Sequence, residues 1–196
     1  FKRSVGLGRS SSFAADAAQY LAMTYLKLED PENAIKAYKS ALQVDPYRDD
    51  IHVKLGNLYF SQGKYEDART EYAEAVRLNP TPANRYSLGQ AYIELGRFSD
   101  AETQYSEIQR LAPQEAGGYL GMGLTYSRQG KPEEAIRQFQ QAISRDEDLY
   151  DAYAQMGYSY ADMGDMESAQ NTVDTLERLG QADIADTLSR YMYKVD

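Results

Sequence analysis

The chain has 196 residues, with 21 Lys and Arg against 30 Asp and Glu, a net charge of −9 and no cysteine. An acidic chain lacks the basic footprint that displaces counterions from phosphates, which argues against nucleic acid, and the absence of cysteine excludes disulfide and thiolate chemistry. No apolar run approaches the roughly 18 residues of a membrane span, so direct membrane insertion is not expected.

In chain order, residues 1–14 come first, carrying Lys2, Arg3 and Arg9 among Gly and Ser with no acid. They read either as a flexible tail or as the remnant of an upstream repeat helix. The second reading comes from laying Phe1-Lys2-Arg3-Ser4-Val5 over Tyr38-Lys39-Ser40-Ala41-Leu42. The start at Phe1 rather than Met leaves room for a removed leader or an upstream domain, so cytoplasm and periplasm or envelope both stay open.

From residue 15 one pattern returns five times: Leu21-Ala22-Met23-Thr24-Tyr25, Leu55-Gly56-Asn57-Leu58-Tyr59, Leu88-Gly89-Gln90-Ala91-Tyr92, Met122-Gly123-Leu124-Thr125-Tyr126 and Met156-Gly157-Tyr158-Ser159-Tyr160. The small residues are spaced by 34, 33, 34 and 34. A fixed period of this size predicts a repeat array rather than one globular core. The array spans 15–181, in units of about 15–48, 49–81, 82–115, 116–149 and 150–183.

Each unit carries two helical patterns. In the second, Ile51, Leu55, Leu58 and Tyr59 form one apolar stripe, Gly63 breaks it, and Tyr65 to Leu78 follows with Ala68, Tyr72, Ala75 and Val76 inside. Asn79-Pro80 ends the pair, because proline disfavours helix in the residue before it. Gly96, Gly130 and Gly164 repeat the turn, while Asp30-Pro31 and Pro132 supply a cap or a first helical residue. At the end, Ile184, Leu188, Met192 and Val195 make a stripe that predicts a capping helix over 182–196.

The arrangement resembles the tetratricopeptide repeat (TPR) family, whose pattern is W-x2-L-G-x2-Y, A-x3-F and P over 34 residues. The second unit matches with Leu55, Gly56, Tyr59, Ala68, Tyr72, Ala75 and Pro80; the first with Leu21, Ala22, Tyr25, Ala34, Tyr38, Ala41 and Pro46. The third matches with Leu88, Gly89, Tyr92, Ala101, Tyr105, Ile108 and Pro113, and the fourth with Met122, Gly123, Tyr126, Ala135, Phe139 and Ala142. The fifth has Met156, Gly157, Tyr160 and Ala169, then departs at Val173 and Leu176. The resemblance implies an all-α, right-handed α-solenoid of helix–turn–helix units. The small eighth residue should let the facing helix approach, and eleven of the 18 tyrosines fall at packing positions, Tyr65, Tyr119 and Tyr153 among them. Tyr20, Tyr47, Tyr86, Tyr150, Tyr158, Tyr191 and Tyr193 remain as possible contacts.

Chemistry is hard to find. His52, the single histidine, stands at a packing position and cannot build a His/Cys metal cluster. The run Gly117-Gly118-Tyr119-Leu120-Gly121-Met122-Gly123 lacks the strand–turn–helix context of a phosphate loop and predicts a locally loosened helix. Asp146-Glu147-Asp148 precede a helix whose N-terminal dipole accounts for them, and they lack the alternation and glycine of a calcium loop. No catalytic site, metal or cofactor is expected.

The resemblance also implies that the first helices line a concave groove. It assigns Met23, Asn57, Gln90, Leu124 and Tyr158 to the ninth-position row, with Val53, Tyr86 and Leu120 at the fifth. Leu26, Phe60 and Ile93 stand at the twelfth, and Arg128 lies at the thirteenth. These twelve residues are the candidate peptide-binding face. The Lys/Asn/Arg clamp by which chaperone adaptors of the family grip a terminal carboxylate is absent from every register. The expected function is therefore a non-catalytic adaptor holding a protein or peptide partner in a largely apolar groove. The alternatives are a scaffold that assembles with copies of itself, or a TPR domain regulating a catalytic domain outside this chain.

Overall fold

A computed structural model describes the backbone of residues 2–193 and side chains from residue 13 onward. Phe1 and Val195 lie outside the described residues, as do the side chains of Lys2, Arg3 and Arg9. Among the described residues there are eleven helices and no strand: α1 (Lys2–Lys27), α2 (Pro31–Val44), α3 (Asp49–Ser61), α4 (Tyr65–Leu78), α5 (Pro82–Glu94), α6 (Phe98–Leu111), α7 (Gly117–Arg128), α8 (Pro132–Ile143), α9 (Tyr150–Asp162), α10 (Met166–Arg178) and α11 (Ala182–Met192). The segment that the sequence leaves open between tail and helix remnant is, from Lys2, the first half of α1. None of the helices is long and apolar enough to cross a membrane.

The helices gather into two compact units, residues 1–95 and 96–196. In the first, each helix of α1 to α5 packs on the next; in the second, α6 to α11 do the same, and α11 also reaches α9. The local devices follow from the sequence. Asp30 caps α2, its carboxylate accepting from the Asn33 backbone N–H at 3.1 Å and from the Asn33 amide at 2.7 Å, with Pro31 in the first turn. Those bonds from Asn33 hold the Asp30 carboxyl below its ordinary range. Thr81 with Pro82, and Asp165 alone, cap α5 and α10 in the same manner. Pro132 also sits in a first turn, but Lys131 before it makes no side-chain cap.

The turns inside the repeats share one conformation. Gly63, Gly96, Gly130, Gly164 and Gly180 all have φ between 68° and 77°, the left-handed region where a side chain would be strained. In the first repeat Glu29 occupies that position at φ 57°. After the turn, an N–H returns to the repeat tyrosine carbonyl: Asp30 to Tyr25, Lys64 to Tyr59, Lys131 to Tyr126 and Asp165 to Tyr160, at 2.9–3.0 Å. This bond closes each hairpin and satisfies a carbonyl that the helix end leaves unpaired.

Close approach explains the eighth-position glycines. A Cβ on Gly56 would lie 2.6 Å from the Tyr72 ring, and one on Gly123 would lie 2.5 Å from Phe139. The glycine-rich run lies within the helix α7, and packing accounts for two of its glycines: a Cβ on Gly121 would meet the Tyr105 ring at 2.1 Å, and one on Gly118 would press on Ile108 and Gln109. The fifth repeat solves the same problem differently. Val173 stands where the other repeats place an aromatic ring, and Gly157 instead faces Leu188 of α11, 2.3 Å from its would-be Cβ. Leu188 and Leu176 are fully buried there, beside Val173, Ala185 and Met192.

Candidate functional site

All eleven packing tyrosines are buried or half-buried, as their repeat positions lead one to expect. Of the other seven, Tyr20, Tyr47 and Tyr193 are exposed, while Tyr86, Tyr150, Tyr158 and Tyr191 are half-buried. Tyr150 donates its hydroxyl to Asp148 at 2.9 Å. The bond to Asp148 raises its pKa, and it ties one of the three acids before α9 to the helix start.

In the first unit, Met23, Leu26 and Asn57 line a cavity of about 370 Å³ with Tyr38, Lys54 and Leu58. Phe60, Tyr86 and Gln90 line another of about 270 Å³ with Tyr72 and Ser87. A buried tyrosine connects the two. The Tyr72 hydroxyl donates to Asn57 Oδ1 at 2.7 Å, and burial pushes that hydroxyl up to about 12, so it stays a donor at neutral pH. Gln90 Nε2 donates to the Tyr86 hydroxyl at 3.0 Å. Val53 is half-buried on the same helix as Asn57. Ile93, however, is only 6% exposed and belongs to the core, not to a binding face.

Beside these cavities lies an arginine cluster that the sequence does not announce. Arg48, in the α2–α3 connection, donates to Asp16 at 2.7 Å, to Gln19 at 2.8 Å and to both oxygens of Asp50 at 2.8 and 3.0 Å. The Arg48 bond holds the Asp50 carboxyl below its usual range. Lys54 stands 3.7 Å from Asp50, so the cationic positions of this face are already matched.

In the second unit, Leu120 and Leu124 are half-buried and Arg128 is exposed. Tyr158 lines a cleft of about 500 Å³ with Ser127, Gln155, Asp162, Thr187, Arg190 and Tyr191. Tyr158 and Tyr191 meet edge to face, their centroids 4.8 Å apart. The Tyr191 hydroxyl donates to Asp162 at 2.5 Å, and that bond raises its pKa. Thr187, Arg190 and Tyr191 come from α11, which the repeat pattern marks only as a cap. Tyr191 was still legible as a tyrosine with no packing position to fill. Among the described residues no three His, Asp or Glu side chains stand together as a metal site would require.

One further surface is set apart by register. At the seventh repeat position Leu55, Leu88 and Met122 are 0%, 4% and 6% exposed beneath the preceding second helix, whereas Leu21 of α1 is 49% exposed. Phe13, Tyr20 and Leu28 are exposed on α1 and just after it.

Comparison with known proteins agrees with this architecture. Family models described as tetratricopeptide repeat match residues 20–81, 53–116 and 127–187. No curated protein sequence matches the chain. Among solved structures, MamA 41-end from Desulfovibrio magneticus RS-1 is 19% identical, with 86% of this chain and 96% of that one covered at a TM-score of 0.73. TTC0263, a thermophilic TPR protein in Thermus thermophilus, is 19% identical, covering 92% and 100% at 0.72. YrrB, described as a TPR protein with an unusual peptide-binding site, is 20% identical, covering 88% and 90% at 0.63. At these identities the likeness is one of fold. The five-fold register, the two-helix units and the matched family models together make this chain a member of the tetratricopeptide repeat family.

Proposed function

We propose that the chain is a non-catalytic scaffold whose first-helix faces dock a segment of a protein partner, either an amphipathic helix or an extended peptide. The observation that carries this reading is the state of the ninth position. Its neighbours at positions seven and eight are buried from the second repeat to the fourth, yet Met23 and Asn57 are exposed and Gln90, Leu124 and Tyr158 half-buried. Apolar and amide groups that packing does not consume are available for contact, and aromatic anchors in such places carry much of the energy of peptide docking. The unusual peptide-binding site of YrrB, on the same fold, supports the reading.

The test is capture of partners from the native host by the full chain, compared with a Leu124→Glu/Tyr158→Glu double variant. Loss of the captured protein with unchanged helical circular dichroism is expected. Equal capture by the variant would move the site to the opposite face or the turns.

The exposed apolar residues of α1 favour a second reading, assembly with further copies through the first repeat. Light scattering across concentration, with and without residues 1–13 and with Leu21→Lys, separates it from the first. A monomer at every concentration would remove it.

A further inference from the structure

The chain's excess charge is confined to its second half. Residues 96–196 hold nine Lys and Arg against eighteen Asp and Glu, a balance of −9, while residues 1–95 hold twelve of each. The largest cleft described above lies wholly within that acidic unit. Its apolar wall is the Tyr158–Tyr191 pair, which α9 and α11 hold edge to face. At its rim stands Asp162, the exposed last residue of α9, with one carboxylate oxygen accepting the Tyr191 hydroxyl. An ionised carboxylate has acceptor capacity for several donors, so one bond leaves Asp162 able to take more. Arg190, the cation of the cleft, is paired with Asp186 on its own helix.

We infer that this cleft takes a basic segment of another protein, with a Lys or Arg beside a leucine, methionine or aromatic residue. The inference rests on the docking reading above and names the occupant of one of its faces. A long cationic side chain matches both parts of the cleft. Its methylene stem lies against tyrosine rings while its charged head stays at the wet rim near a carboxylate. The field of an acidic unit favours the approach of such a segment and disfavours acidic competitors. The volume of about 500 Å³ is in the range of cavities that enclose a ligand of a few side chains.

The experiment pans a displayed library of random twelve-residue peptides on the full chain at low salt. The expected result is enrichment of peptides that place Lys or Arg next to Leu, Met or an aromatic residue. Affinity of the best synthetic peptide should fall by about fivefold on Asp162→Asn and fall again as salt is raised. It should rise on Arg190→Gln, which removes a like charge from the cleft. Opposite signs for these two substitutions separate charge complementarity from damage to the fold, which would weaken binding in both. Enriched peptides that are acidic or purely apolar, or a basic peptide indifferent to Asp162→Asn, would overturn the basic occupant while leaving the docking reading in place. A library that yields no binder would remove both.

Discussion

His52 has acceptors on both sides of its ring. Nδ1 stands 2.7 Å from Glu71 Oε2 and Nε2 stands 3.3 Å from the Pro46 carbonyl oxygen, in a site only 8% exposed. Two acceptors are fully satisfied only when both nitrogens carry protons. Burial by itself would lower the histidine pKa, but the bonds to Glu71 and Pro46 and the charges of Glu71 and Glu74 outweigh it, and the pKa is raised. A raised folded pKa means stability that is complete below about pH 6.5 and is lost as pH climbs through the folded value. Urea unfolding at pH 6 and pH 8.5 should therefore show a higher midpoint at pH 6. His52→Leu should remove that difference and cost about 1–3 kcal/mol at pH 6, because Glu71 then loses its partner. A pH-independent midpoint in the native chain would contradict the pairing. The sequence places His52 correctly as a packing residue, but Glu71 lies 19 positions away and no local pattern marks it. The same holds for Arg48, whose partner Asp16 is 32 positions away.

At the scale of the helix and its turn, the five glycines and Glu29 form a natural comparison. All six adopt a left-handed backbone, and only Glu29 bears a side chain in it. Such a conformation costs a non-glycine residue about 1–2 kcal/mol, part of which glycine returns through its looser unfolded state. Glu29→Gly should raise stability by up to about 1 kcal/mol, read as a shift of the urea midpoint with an unchanged slope. A second expectation concerns α11. Leu188→Ala removes a fully buried side chain lying against Gly157 and should cost about 2–5 kcal/mol. The matching exposed change, Thr187→Ala, should shift the midpoint little. Equal effects would mean that α11 does not pack as described.

For the whole molecule, the period made the repeat array legible, and the helical spacing inside each unit with the family resemblance made it all-helical. Spacing of 33 or 34 residues, turn glycines and proline breaks locate the helices closely; the stripe expected from Ile51 to Phe60 is α3, and Tyr65 to Leu78 is α4. Less legible was what depends on three-dimensional neighbours. The break between compact units falls at Leu95 and Gly96, inside the third repeat, where one more ordinary turn glycine gives no sign of it. The candidate face was legible as rows of positions, and eleven of its twelve residues are exposed or half-buried; Ile93 is not. The cleft with Tyr191 was missed as a unit, because Thr187, Arg190 and Tyr191 of its wall come from a helix outside the repeat pattern.

The substitution of Leu188 for an aromatic ring bears on how such a chain could be lengthened. Val173 leaves a gap beneath Gly157, and α11 is keyed to that gap. Copying an internal repeat and splicing it after residue 181 would therefore displace Leu188, the side chain nearest to Gly157 there. An engineer adding a sixth unit would first have to restore the ring with Val173→Tyr and move α11 outward behind a repeat that ends as the fifth does now. Because Leu188 of α11 lies against Gly157 of the fifth repeat, the two elements would have to be moved together in such a design.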